Sequence, residues 1–95
     1  MITSKQRAYL RGLANKIEPI FQIGKGGINE NLIAQLDDAL EARELIKLHI
    51  LETAFMDSRE TLSELAEILG AEPVQAIGSK IVLYRESVNK KKIEL

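Results

Sequence analysis

Four consecutive residues, Gly24-Lys25-Gly26-Gly27, draw their chemical interest from what flanks them. Ile20-Phe21-Gln22-Ile23 precedes them, an apolar run after Pro19 that reads as a strand. Ile28-Asn29-Glu30-Asn31-Leu32-Ile33 follows and opens a helical pattern. A glycine turn from a strand into a helix leaves backbone N–H groups that no helical carbonyl accepts. Those donors, with the positive end of the helix dipole, favour an anionic oxygen, above all a phosphate. Glycine lets a nucleic-acid backbone approach with no Cβ in the way, and Lys25 adds a positive charge. The spacing alone is equally that of a tight connection, so the rest of the chain must decide.

Charge supplies the first context. The net charge is −1 over 95 residues, which taken as an average argues against a polyanionic partner. The average hides a segregation. Residues 1–27 carry Lys5, Arg7, Arg11, Lys16 and Lys25 against Glu18, a balance of +4. Residues 28–80 carry eleven acids against Arg43, Lys47, Arg59 and Lys80, a balance of −7, and residues 81–95 return to +2 with Arg85 and Lys90-Lys91-Lys92. A basic end beside the glycine turn is an electrostatic footprint for nucleic acid. The acidic middle reads as solvated helix faces pointing away from it.

Other reactive groups are few. His49 is the sole histidine and there is no cysteine, so no metal set or disulfide can be composed from these types. The turn lacks the Lys-Ser/Thr ending of a nucleotide-binding P-loop, since Ile28 follows Gly27. No acid/base pair or activated nucleophile is evident. The expectation is a protein with no catalytic residue, no cofactor and no metal. No run approaches the roughly 18 apolar residues of a membrane span, and Met1–Lys5 lacks the apolar core of a signal peptide. A cytoplasmic location is expected.

The elements that must position these groups follow from periodicity. Thr3 to Ile17 reads as a helix, with Thr3 and Gln6 at capping-box spacing and Leu10, Leu13, Ala14 and Ile17 on one face. A second helix runs from Asn29 or Glu30 to Ala42 on a Leu32-Leu36-Leu40 stripe. Residues 45–51 form a strand that alternates from Ile46 to Ile50, with Lys47 and His49 on the face away from Ile46, Leu48 and Ile50. A third helix starts near Asp57 or Ser58 and stops at Gly70. Val74–Ile77 and Lys80–Arg85, joined by Gly78-Ser79, read as an antiparallel hairpin. Residues 86–95 read as a polar, loosely held tail. The order α-β-α-β-α-β-β implies one compact α/β (α+β) domain with a mixed sheet.

Taken together, these segments resemble the CRM domain (chloroplast RNA splicing and ribosome maturation), in its bacterial single-domain YhbY-like form. The resemblance is carried by Lys5-Gln6-Arg7-x-x-Leu10-x-x-Leu13-Ala14 and Pro19-Ile20-Phe21-Gln22-Ile23-Gly24-Lys25-x-Gly27. It continues through Ala39-Leu40, Glu44-Leu45-Ile46-Lys47, Val74-Gln75-x-Ile77-Gly78 and Val82-Leu83-Tyr84-Arg85. One departure is Arg43, where many members have histidine. The resemblance implies three helices and a four-stranded mixed sheet similar to the C-terminal domain of initiation factor three. It also implies a G-x-x-G loop comparable with the backbone clamp of KH domains.

By resemblance, the expected function is non-catalytic binding of large-subunit ribosomal RNA or its precursor during ribosome assembly. Lys5, Arg7, Arg11, Gly24, Lys25, Gly26, Gly27, Lys47 and Arg85 are the expected RNA contacts. Phe21, Phe55, Tyr9 and Tyr84 are the aromatics that could stack on bases; most read as core, and Tyr84, near Arg85 at the end of a strand, is the one to test. Expected partners are RNA and ribosomal proteins, with no membrane and no small-molecule substrate. The competing expectation is a protein-interaction module that docks on ribosomal proteins or other factors through its acidic helices.

Overall fold

The computed structural model describes residues 2–95. Its elements are α1 (Ser4–Ala14), β1 (Phe21–Ile23), α2 (Glu30–Arg43), β2 (Leu45–Ile50), a short 3-10 turn (Glu52–Ala54), α3 (Ser58–Leu69), β3 (Glu72–Ile77) and β4 (Lys80–Tyr84). The strands form one mixed sheet in the order β1-β2-β4-β3. β1 pairs parallel with β2, and the other two pairings are antiparallel. Three helices and four strands in this order are the architecture the sequence predicts.

Local chemistry sets the boundaries. Thr3 and Gln6 close a reciprocal capping box, with Gln6 N–H donating to Thr3 Oγ1 at 3.1 Å and Thr3 N–H to Gln6 Oε1 at 2.8 Å. α1 ends at Ala14, three residues short of Ile17. Lys16 and Ile17 instead donate to Leu13 and Ala14 carbonyls in single tight turns before Pro19. Asn29 caps α2 by accepting Leu32 N–H at 2.8 Å, and Asp57 caps α3 by accepting Glu60 N–H at 3.0 Å. Gly70 ends α3 at φ +63.

The two faces of the sheet are covered unequally. On one side α2 and α3 lay Leu36, Leu40, Leu62, Leu65 and Leu69 over Ile23, Ile46, Leu48, Ile50, Ile81 and Leu83 in the main core. On the other, α1 alone lays Leu10 and Ala14 over Leu45, Val74, Val82 and Tyr84. Leu45, Tyr84 and Glu72 pair across the sheet, so α1 lies over that end only. The opposite end of the same face is the paired row Gln22, His49, Lys80 and Ile77. No helix among the described residues covers it: Gln22, Lys80 and Ile77 are exposed and His49 is half-buried.

Residues 86–95 are not loosely held, which corrects the sequence expectation. The Glu44 carboxylate accepts the Ser87, Lys92 and Ile93 N–H groups at 2.8, 2.6 and 2.6 Å. The Glu41 carboxylate accepts Val88 N–H, Asn89 N–H and the Ser87 hydroxyl at 3.0, 3.0 and 2.7 Å. Ser87 is buried, and Ile93 packs against the core beneath α1. Two helix acids that looked like ordinary solvated surface instead satisfy the backbone of a returning strap.

This strap carries a pH signature. The Val88 and Asn89 N–H groups, with the Ser87 hydroxyl, draw the Glu41 carboxyl down from its ordinary 4.5 to about 2. Burial pushes Glu44 upward, but its three backbone donors outweigh that and leave it below its ordinary value. Both acids therefore bind protons more weakly docked than free. Glu41's stabilisation is complete above about pH 4.5 and is lost as pH falls toward 2, and Glu44's weakens in the same direction. Amide exchange at Ser87, Val88, Asn89, Lys92 and Ile93 should accelerate relative to the β2 amides across that interval. Unchanged relative protection down to pH 2 would refute the strap.

Candidate nucleic-acid interface

The Gly24–Gly27 turn stands at the carboxyl end of β1. Gly27 N–H donates to Gly24 C=O at 2.9 Å, which closes a four-residue turn, and Gly27 sits at φ +63. Only Gly27 is required by its own backbone. A Cβ on Gly26 would meet nothing nearer than Asn29 Nδ2 at 3.8 Å, and one on Gly24 would make an ordinary 3.6 Å contact with Leu51. The protein interior thus gives no steric reason for glycine at 24 or 26. Among the described residues, the Lys25, Gly26 and Ile28 N–H groups have no acceptor. Lys25 and Gly26 are exposed, and Lys25 makes no ion pair among the described residues. The turn borders a polar hollow of about 270 Å³ whose other walls include Gln22, Asn29, Asn31 and Gln35. These four amides supply neutral donors and acceptors beside the α2 N-terminus. Asn29 and Asn31 read in the sequence only as the opening of a helix, and Gln22 on β1 and Gln35 within α2 join them only through the fold.

The basic residues of α1 are not adjacent to this turn. α1 lies over the Leu45 end of β2, and the turn follows Ile23, which pairs with Ile50. Five residues of strand separate the two ends, on the order of 16 Å. The open sheet face lies between them and carries Lys47, His49 and Lys80 on the α1 side. Lys5 is exposed at the start of α1, and Arg11 is half-buried. Arg7 donates from Nε to Pro73 C=O at 3.1 Å, which ties α1 to the edge strand while leaving the rest of its guanidinium available.

Lys47 is half-buried at the wall of a groove of about 580 Å³ between α1 and β2. Leu13, Ile17 and Ile20 floor it, and Lys16, Arg43 and Lys92 share its rim with Lys47 and one acid, Glu18. None of the four cations makes an ion pair among the described residues. Lys16, Arg43 and Lys92 join the surface only through the fold, because they are scattered along the sequence.

Arg85, an expected contact, and Tyr84, the aromatic to test, lie elsewhere. Arg85 is occupied within the protein: Nη1 reaches Asp37 Oδ1 at 2.7 Å and Leu69 C=O at 2.9 Å, and Nη2 reaches Asp37 C=O at 3.0 Å. It joins the end of β4 to α2 and α3, and three of its five N–H donors are taken up inside the protein. Tyr84 is buried in the α1-side core, where desolvation raises its hydroxyl pKa, so it offers no stacking surface.

Three helices on a four-stranded mixed sheet, with a glycine turn at one end of a thinly covered cationic face, define a small α+β domain. The CRS1 / YhbY (CRM) domain model matches residues 2–85, and the chain belongs to that family. It is 47% identical to the probable RNA-binding protein YqeI of Bacillus subtilis (strain 168), over 100% of this chain and 99% of the relative. An RNA-binding protein of Haemophilus influenzae is 32% identical over 90% of this chain and 87% of its own length. The solution structure of the hypothetical protein SAV1595 from Staphylococcus aureus superposes with a TM-score of 0.84 at 60% identity, covering 100% of this chain and 99% of that one.

Proposed function

We propose that this chain is a non-catalytic RNA-binding protein whose Gly24–Gly27 turn holds an RNA backbone. The observation that carries the reading is the pair of exposed, acceptor-free N–H groups at Lys25 and Gly26, with no Cβ on Gly26 to shield them. A phosphate there gains two backbone donors, the Lys25 ammonium and the α2 N-terminus. The strand then crosses the open sheet face toward α1, where Lys47, Lys16, Arg43, Arg11, Arg7 and Lys5 extend the phosphate contacts. Arg85 is left out of that set. The family and the relatives named for RNA binding support the class of ligand.

The RNA we propose is that of the large ribosomal subunit or its precursor, bound in the cytoplasm during assembly. The net charge of −1 fits a partner engaged by one face only. Binding to single-stranded RNA should weaken steeply with salt, with a slope of about −0.7 for each phosphate neutralised. Crosslinking in cells followed by sequencing of the attached RNA should concentrate reads in large-subunit rRNA. Salt-independent affinity would overturn the backbone clamp, and reads scattered over messenger RNA would overturn the assembly role. A nuclease-resistant complex with a ribosomal protein, and no affinity for RNA, would favour docking through the acidic helices instead.

A further inference from the structure

Phe55 is the most exposed large apolar residue among the described ones, at 93% of its full accessibility. Its neighbours Ala54 and Met56 both pack against the main core, and Phe55 belongs to neither core cluster. The residue that turns it outward is Phe55 itself, at φ +52 and ψ +43, a left-handed conformation rare for a bulky side chain. An aromatic ring in water and a left-handed backbone both cost stability, and nothing in the packing recovers that cost.

Its position gives the pair a use. Leu51 N–H donates to Ile23 C=O at 2.8 Å, and a Leu51 methyl lies 3.6 Å from the Cβ position of Gly24. From Leu51 the chain makes one 3-10 turn, with Ala54 N–H on Leu51 C=O and Phe55 N–H on Glu52 C=O. At about 2 Å of rise per residue, Phe55 therefore stands roughly 8 Å from Leu51, the residue that touches the glycine turn. It forms one wall of a shallow hollow with His49, Met56 and Ser79, at the uncovered end of the sheet. A ring presented beside a backbone clamp fits the π-face of a nucleobase.

We propose that Phe55 is a stacking platform for an unpaired base of the strand whose backbone the Gly24–Gly27 turn holds. The inference rests on the RNA reading above and adds to it a requirement for single-stranded RNA at this end of the sheet. Stacking involves no charge, so it should contribute affinity without contributing to the salt slope.

The test uses a short single-stranded RNA of mixed sequence and the same sugar-phosphate chain without bases. Phe55→Ala should bind the base-bearing strand roughly 5- to 100-fold more weakly. Its affinity for the baseless chain, its salt slope and its urea midpoint should all match wild type. Since the chain has no tryptophan, Phe55→Trp installs a single reporter. Its fluorescence should be quenched by the base-bearing strand and unaffected by the baseless one. Equal losses on the two probes, or wild-type affinity in Phe55→Ala, would overturn the platform while leaving the clamp standing. Failure of the wild-type chain to bind either probe would overturn the RNA reading and the platform with it.

Discussion

A chain carrying Lys25→Glu and Gly26→Asp together should bind single-stranded RNA at least about 100-fold more weakly than wild type, with an unchanged unfolding midpoint. A hydrogen bond to a charged group contributes about 1.5–3 kcal/mol, and each 1.4 kcal/mol is tenfold in affinity. The double change removes one cation, introduces two anions at the acceptor-free N–H groups and fills the space outside Gly26. The fold has little reason to respond. Both positions are exposed, and among the described residues Lys25 has no ion pair and a Cβ on Gly26 meets only Asn29 Nδ2 at 3.8 Å.

Gly26 is the better position for this test than Gly27. The φ of +63 at Gly27 means that any side chain there strains the turn, so lost binding would be confounded with lost structure. Fluorescence anisotropy at several salt concentrations gives the readout, and the salt slope should shrink by the contribution of one or two phosphates. Wild-type affinity in the double variant would sink the clamp. A lowered midpoint would show instead that the turn supports the fold.

Periodicity made the elements legible, and the family's segments made their order so. The Leu32-Leu36-Leu40 stripe, the alternation through β2 and the Gly78-Ser79 connection each report a local rule that the fold obeys. Long-range placement was less accessible. Arg7, Arg11 and Lys25 are close in the sequence, yet α1 docks at the far end of the sheet from the glycine turn. That separation follows from the strand order, which no local pattern encodes. Phe55 lies between two residues that pack inward, so only its positive φ distinguishes it, and φ cannot be read from residue type for a phenylalanine. Arg85 and Glu44 illustrate the same limit. A cation near a basic tail and an acid on an acidic helix look like surface charge until their partners, 48 and 43 residues away, are seen to close on them.

Glu44 carries the largest stability prediction. Its N–H closes α2 on Leu40 C=O at 2.8 Å, its C=O takes Arg85 N–H at 2.9 Å, and its carboxylate holds three N–H groups of the strap. It does so fully buried and at φ +67, where a Cβ is unfavourable. Glu44→Ala keeps the backbone strain and removes the acceptor. Ser87 N–H then stays buried without a partner, or the strap peels off and exposes the core beneath Ile93. Either route should cost about 2–4 kcal/mol. Glu44→Gly loses the same hydrogen bonds but relieves the left-handed strain, so it should be about 1 kcal/mol more stable than Glu44→Ala. Urea unfolding gives both differences, and amide exchange at Ser87, Lys92 and Ile93 separates local release of the strap from global loss. If alanine and glycine variants unfold together, the positive φ carries no strain. If both match wild type, the buried carboxylate does not hold the strap. A truncation after Arg85 removes the strap that carries these three amides, so it should fall near Glu44→Ala rather than near wild type.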